Sequence, residues 1–314
     1  MIAESVRSAA ALETGTRASG LKYVLVTPAR NEAAYIEQTI LSVIQQTVLP
    51  AKWVIVSDGS TDGTNDTVSK YAALHEWIEL VALPERTERH FAGKAYAFNA
   101  GYDQVERLDY DVIGNLDADI TFGPEHFEFL LAKFAANPKL GVAGTPFREG
   151  TVQYDYRFSR KEHVSGACQL FRRQCFEAIG GYTPLKGGGI DLVAVVTARM
   201  KGWKTETFTE RYCLHHRPMG TAKHRLVKAT FKSGYGDFLL GVHPVWQLFR
   251  SIYQMSRKPI LVGGVILLAG YSWAMLKRPR KPVSPEFVKF RRREQMQWFR
   301  QYFSRFFRRG ACSP

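Results

Sequence analysis

Asp117-Ala118-Asp119 directly follows the apolar run at 110–116. Two carboxylates one residue apart thus stand at the end of a segment that reads as a buried strand. Carboxylate oxygens are hard donors, so the pair can hold Mg or Mn, and such a cation can in turn hold a diphosphate. An isolated Asp-x-Asp can equally be a solvated turn. Two more polar loops give this one its context: Thr27-Pro28-Ala29-Arg30-Asn31-Glu32 after the strand-like run at 23–26, and Ser57-Asp58-Gly59-Ser60-Thr61-Asp62-Gly63 after that at 53–56. Three apolar runs each end in a Gly- or Pro-marked polar loop. That is the order expected of an open α/β sheet that binds its ligand at the carboxyl ends of its strands.

With Gly93-Lys94-Ala95-x-Ala97-x-Asn99-x-Gly101, these motifs occur in an order that resembles the inverting family 2 glycosyltransferases of the GT-A fold, of the bacterial exopolysaccharide or cell-envelope type. The likeness runs over roughly residues 22–208. It implies a divalent Mn or Mg cofactor and a nucleotide-diphosphate sugar donor. Asp119 is expected as direct metal ligand, with Asp117 near the nucleotide ribose or acting through the metal's water shell. Asp58 resembles the family's base-recognising aspartate, whose carboxylate accepts from a uracil N–H, although Asp-Gly is also a strong turn pair. Pro28, Ala29 and Glu32 are expected to line the same pocket. Lys94 can approach the sugar or diphosphate, or stand solvated.

An inverting transfer also needs a base to deprotonate the attacking hydroxyl. Family members usually show a Glu-Asp pair at the start of a helix that later carries Arg, Gly and an aromatic residue. Here Arg199, Gly202 and Trp203 keep that register, Ile190 replaces the first carboxylate, and Asp191 remains as the candidate base. Asp at a helix N-terminus can instead be a cap. In Cys213-Leu214-His215-His216-Arg217-Pro218, the vicinal histidines can complete the metal shell, with His216 as the candidate ligand, or bind the departing diphosphate. They can also be a structural pair on a loop.

The elements that must position these groups alternate in type. Strands are expected at 23–27, 53–57, 78–82 and 112–116, and helices at 34–46, 64–74, 95–106 and 124–136. Beyond Gly150 come a strand at 166–172, a helix at 174–179, a glycine loop at 186–189, a helix at 191–201 and a strand at 203–208. The fold class is therefore α/β, a Rossmann-like, mainly parallel sheet with helices on both faces, followed by a C-terminal helical, membrane-associated segment. The expected organisation is a leader (1–20), a catalytic domain (21–220), a helical bridge (221–259), an apolar segment (260–276) and a basic amphipathic tail (277–314). Acceptor-recognising loops are expected at 147–164 and 185–189.

The formal charge of +14 is concentrated. Between 277 and 309 lie twelve Lys or Arg and two Glu, a net +10, which suggests a polyanionic partner. The apolar run at 260–276 favours a membrane over nucleic acid as that partner, since no RNA-binding aromatic signature or zinc spacing is present. The run is at the lower limit of a helical span, so a short span, a re-entrant segment and a buried helix all fit it. Phe299, Tyr302, Phe303 and Phe306 recur at helical spacing, with Arg300, Arg305, Arg308 and Arg309 mostly elsewhere on the wheel. This fits a helix in the headgroup region of an anionic membrane, or a core-packing helix with a basic face. Cys168, Cys175, Cys213 and Cys312 show no paired spacing, and the first twenty residues lack the apolar core of a signal peptide. The expected location is the cell inner membrane, with the catalytic domain on the cytoplasmic face.

The expected function is transfer of a single sugar to a lipid-linked or polysaccharide acceptor at that membrane. A processive polysaccharide synthase would add several membrane helices and a Gln-x-x-Arg-Trp segment, which the sequence lacks. A nucleotidyltransferase would open with a Gly-rich loop and arginine after the first strand. The presence of Ile190 keeps a non-catalytic scaffold or carbohydrate-binding protein in view.

Overall fold

The computed structural model describes residues 19–85, 91–149, 152–153, 160–217, 223–256 and 260–310, without the side chains of 152–153, 223–226, 303 and 305–310. The expected leader lies almost wholly outside the described residues, as do Cys312, much of the 147–164 loop and the side chains of Phe303, Arg305, Phe306, Arg308 and Arg309. The chain forms two compact units, Met1–Pro218 and Met219–Pro314.

The first unit is built on β1 (Tyr23–Ala29), β2 (Lys52–Asp58), β3 (Ile78–Leu83), β4 (Val112–Leu116), β6 (Leu140–Gly144), β9 (Cys168–Arg172) and β10 (Lys204–Thr207), in the order β10-β6-β9-β4-β1-β2-β3. All pairings are parallel except those of β9, which runs antiparallel between β4 and β6. Tyr23, Val24, Leu25 and Val26 are all buried. Successive side chains on a strand point to opposite faces, so this sheet is covered on both. Helix α1 (Ile36–Ile44) buries Ile36, Ile40 and Val43, and α4 (His126–Ala136) buries Phe127, Leu130, Leu131 and Phe134, each along one helical face. Between them in sequence lie α2 (Thr64–Ala72) and α3 (Ala92–Val105); α5 (Arg173–Ile179) and α6 (Ile190–Met200) follow.

A second sheet has the order β5-β11-β7-β8, from β5 (Ile120–Phe122), β7 (Phe147–Glu149), β8 (Val152–Gln153) and β11 (Cys213–His215). β11 pairs antiparallel with β5 and parallel with β7. These strands and β6 go beyond the sequence-based expectation. Four of them are two or three residues long, too short for a period to register, and β6 reads Leu-Gly-Val-Ala-Gly.

The second unit is helical: α7 (Lys223–Leu239), α8 (Pro244–Met255), α9 (Val262–Lys277) and α10 (Pro285–Gly310). Among the described residues, no helix is long and apolar enough to cross a membrane. The apolar run expected there forms α9, whose glycines mark close helix crossings. A Cβ on Gly270 would lie 2.1 Å from the Phe231 carbonyl oxygen, and one on Gly264 2.2 Å from that of Ser251. α9 buries Leu267, Tyr271 and Ala274 while exposing Val262, Val265, Trp273, Met275 and Leu276.

The aromatic stripe of the tail is placed differently from the lipid-facing reading. Phe299 and Tyr302 lie with ring centroids 5.8 and 6.0 Å from Phe249, and Trp298 stands 5.0 Å from Trp246, edge to face. A row of rings beside another amphipathic helix gains more contact by packing on it than by standing free. The stripe's Phe299 and Tyr302 therefore join α10 to α8.

Candidate active site

The loops that leave β1 and β2 are stitched together by their own polar side chains. The Asn31 N–H donates to Ser60 Oγ (3.1 Å) and the Thr61 N–H to Asn31 Oδ1 (2.9 Å). The Glu32 N–H donates to Thr64 Oγ1 (2.9 Å), and the Ala33 N–H to Asp62 Oδ2 (3.0 Å). Asn31 sits at φ 55°, a left-handed conformation that Asn tolerates better than most side chains. Asn31, Ser60, Asp62 and Thr64 thus form the scaffold, and they hold Glu32 and Asp58 at one opening.

That opening is a cavity of about 480 Å³, within the range of small-molecule sites. Pro28, Ala29, Glu32, Asp58, Lys94, Asp117 and Asp119 all line it. Seven of the nine residues singled out from sequence therefore meet in one place; Asp191 and His216 are not among its lining. Arg30 and Phe91 line it as well. The Asp58 carboxylate is buried, with Oδ2 3.8 Å from Arg30 Nη1.

Lys94 is not a solvated lysine. Its ammonium donates to Asp117 Oδ1 and to the Gly166 carbonyl oxygen (3.3 Å). Burial pulls its pKa down, and the charges of Asp117, Asp191 and Asp119 more than reverse that, leaving it raised. Burial pushes the Asp117 carboxyl up, against the pull of Lys94. Glu32, which pairs with Arg217, is pushed up to about 7, first by burial; Arg217 opposes the shift, and Asp119, Asp117 and Asp62 add to it. The carboxyl groups of Glu32, Asp58, Asp117 and Asp119 thus share the opening with the cations of Arg30, Lys94 and Arg217.

Asp119 ends the turn between β4 and β5, and β11 runs beside it. β11 ends at His215, and the vicinal histidines take different partners. His215 Nε2 faces Asp119 Oδ2 at 3.6 Å, whereas the His216 ring nitrogen Nε2 lies 2.8 Å from Thr121 Oγ1. The histidine singled out from sequence as ligand, His216, is therefore engaged by Thr121, and its neighbour stands at the carboxylate. Arg217 Nε is 3.7 Å from the same Asp119 oxygen. Both separations exceed hydrogen-bond length. His215 Nδ1 is buried, with no hydrogen-bond partner among the described residues. Among the described residues, no group of three or more His, Cys, Asp or Glu side chains is gathered to hold a metal. A carboxylate beside an imidazole can supply part of a divalent-cation shell, as in sites where substrate phosphates and water supply the rest.

Asp191 lies in the first turn of α6, but the cap position is Gly189, at φ 83°, and no side chain caps this helix end. Its surroundings are instead the backbone at Gly166 and the charge of Lys94. The residues that keep its register hold α6 in place. Arg199 Nη1 donates to the Glu162 carbonyl oxygen (2.9 Å) and to Thr205 Oγ1 (3.1 Å), and Gly202 takes φ 86° just past the end of the helix.

Residues 24–187 match the profile of Glycosyl transferase family 2. The chain belongs to this family. It is 31% identical over 180 residues to the succinoglycan biosynthesis protein ExoA of Rhizobium meliloti (strain 1021), covering 51% of this chain and 52% of that protein. It is 32% identical over 117 residues to the poly-beta-1,6-N-acetyl-D-glucosamine synthase of Staphylococcus aureus (strain COL), covering 37% of this chain and 26% of that one. The family 2 chain thus spans about half or less of the length of these curated relatives. Among solved structures, the mannosyltransferase PcManGT from Pyrobaculum calidifontis, in complex with GDP-Man and Mn2+, superposes with a TM-score of 0.57 at 17% identity, covering 82% of this chain and 88% of that one. S. aureus TarS in complex with UDP gives 0.55 at 14%, covering 82% and 91%. At these identities the likeness is one of fold, and it is to GT-A enzymes. Family and fold together are those of glycosyl transferases.

Arg217, His215, Phe91 and Gly166 were not singled out individually from sequence. The Cys-Leu-His-His-Arg-Pro run carried the signal for the first two; no spacing marked the others.

Proposed function

We propose that this family 2 enzyme is a divalent-cation-dependent, inverting transferase that moves one sugar from a nucleotide-diphosphate sugar, a UDP-sugar, to a lipid-linked or polysaccharide acceptor at a membrane. The observation that carries this reading is that one cavity gathers Asp58, Lys94, Asp117 and Asp119, with Asp191 held beside it through Gly166 and Lys94. The donor's base lies against Asp58, whose carboxylate accepts a ring N–H. Pro28 and Ala29 wall the pocket, and Asp117 reaches the ribose. Lys94 carries positive charge next to the diphosphate, an electrostatic role that grows as the leaving group gains charge.

Asp119 is the metal ligand, with His215 as the histidine next to it; His216 supports the strand from behind through Thr121. A Mg or Mn ion bound there supplies Lewis-acid stabilisation of the leaving diphosphate. Asp191 accepts the proton of the acceptor hydroxyl as that oxygen attacks the anomeric carbon from the face opposite the diphosphate. One carboxylate suffices for this, so Ile190 in place of the first acid leaves the chemistry intact.

The relatives agree with this class: one is a succinoglycan biosynthesis protein and one a poly-beta-1,6-N-acetyl-D-glucosamine synthase, while one structural neighbour holds UDP and another GDP-Man with Mn2+. Work at a membrane is supported by the apolar side chains that α8 and α9 expose and by the basic sequence of α10. The test is release of nucleoside diphosphate from a panel of UDP-, GDP- and dTDP-sugars, with the anomeric configuration of the product read by NMR. Turnover of a UDP-sugar with inversion supports the reading, and retention of configuration or turnover of GDP-sugars alone contradicts it.

A further inference from the structure

The C-terminal unit contains a groove of about 1520 Å³, lined by the start of α8, the turn that precedes α10 and α10 as far as Arg300. Arg280, Lys281, Lys289, Arg292, Arg293 and Arg300 face it together with the His243 imidazole, and among the described residues no carboxylate lines it. Glu286, one turn before Lys289, feels that lysine's charge but lies off the lining. Two helix N-termini open on the same space. His243 Nδ1 accepts from the Val245 N–H (3.2 Å) at the start of α8, and Ser284 Oγ from the Phe287 N–H (3.1 Å) at the start of α10. Helix N-termini add oriented partial positive charge to the side-chain cations, which together make an anion site.

The cations are held close by the fold. Arg292 Nε donates to the Gly241 carbonyl oxygen (3.3 Å) and Arg291 Nη1 to that of Leu240 (2.7 Å), fastening α10 to the end of α7. Burial, and then the charge of Arg292, hold both His243 and Lys281 below their ordinary pKa values. Like charges gathered at this density repel, and an anion among them relieves the repulsion.

We propose that this groove binds the phosphate head group of an anionic membrane lipid. The source of the phosphate follows from the apolar surface around it. Val283, Val288 and Met296 share the lining with the cations. Beginning two residues from His243, α8 exposes Val245, Leu248 and Ile252 at helical spacing. A phosphate bearing acyl chains satisfies both surfaces at once, whereas a free phosphate satisfies only one. The proposal rests on the reading that the enzyme works at a membrane, and names the site that reads the lipid.

The test is co-sedimentation of the full chain with vesicles of phosphatidylcholine alone or mixed with phosphatidylglycerol. Lys289→Gln/Arg293→Gln removes two exposed groove cations that do not fasten α10 to α7. Arg107→Gln/Lys139→Gln removes two exposed cations from the catalytic unit as a control. Each Lys or Arg at an anionic surface contributes about fivefold to partitioning, so the groove variant should bind the mixed vesicles about 25-fold more weakly, with the control unchanged. Nucleotide binding retained by both variants shows that the catalytic unit is intact. Equal losses in the two variants would overturn the groove while leaving membrane action standing. Failure of the wild type to bind either vesicle, or equal binding to both, would overturn the proposal, the first outcome taking the membrane reading with it. Calorimetric binding of inorganic phosphate that the groove variant loses, without vesicle binding, would assign the groove to a soluble anion and overturn the lipid source.

Discussion

Gly166 and Asp191 are in direct contact: a Cβ added to Gly166 would lie 2.9 Å from Asp191 Cβ and 3.1 Å from its Oδ2. The backbone there cannot easily yield, because the Gly166 carbonyl oxygen accepts from Asn115 Nδ2 (2.6 Å) and from Lys94 Nζ. Gly166→Ala should therefore push the Asp191 carboxylate aside. A displacement near 1 Å costs about 100-fold in turnover, so kcat should fall by about that factor while the donor Kd changes little. A kcat within twofold of wild type would show that the position of Asp191 does not matter.

Asp191 itself gives the companion experiment. Asp191→Asn keeps the shape and removes the proton acceptor. General-base catalysis contributes about 10²–10⁴-fold, and kcat should fall by that much with the donor affinity retained. Full turnover by a purified Asp191→Asn sample would reassign the base.

Glu32 makes stability depend on pH in an unusual direction. Its carboxyl is raised from the ordinary 4.5 to about 7 in the folded chain, first by burial. An acid with a raised folded pKa favours the folded state when protonated, so stability is greatest below the ordinary value and is lost as pH rises from there to about 7. The loss is up to about 3 kcal/mol, and Glu32→Gln should abolish it. Urea unfolding of both proteins in mildly acidic and mildly alkaline buffer measures the difference; parallel pH profiles would refute the assignment.

His126 acts in the opposite sense. Its imidazole is buried, stacked on Phe122 at a centroid distance of 4.8 Å, and burial, then Arg211, lower its pKa from 6.5 to about 3. A base with a depressed folded pKa stabilises the fold above its ordinary value and loses that contribution as pH falls from 6.5 towards 3. By about pH 5 the loss is about 2 kcal/mol, and His126→Phe should be spared it. The check is the urea midpoint of each protein at neutral pH and at about pH 5.

The first unit was legible because its strands end in motifs whose side chains make the turns as well as the pocket. Asn31, Ser60 and Asp62 write the loop geometry, and Asp58, Asp117 and Asp119 take their places from the strands they terminate. Contacts between segments distant in sequence were not legible. Arg217 reaches Glu32 only once β11 has paired with β5, and the choice between His215 and His216 depends on where a three-residue strand ends. The role of the α9 glycines as crossing points was not legible either, because a helix partner is invisible to a single-segment pattern.

Calorimetric titration with UDP, GDP and dTDP measures whether Asp119 makes a cation-dependent nucleotide site. Each titration is run with Mn and with chelator, on wild type and Asp119→Ala. UDP should bind the wild type in Mn and at least tenfold more weakly in chelator, and Asp119→Ala should lose this metal dependence. Equal UDP affinity with and without metal, or unchanged metal dependence in Asp119→Ala, would contradict it.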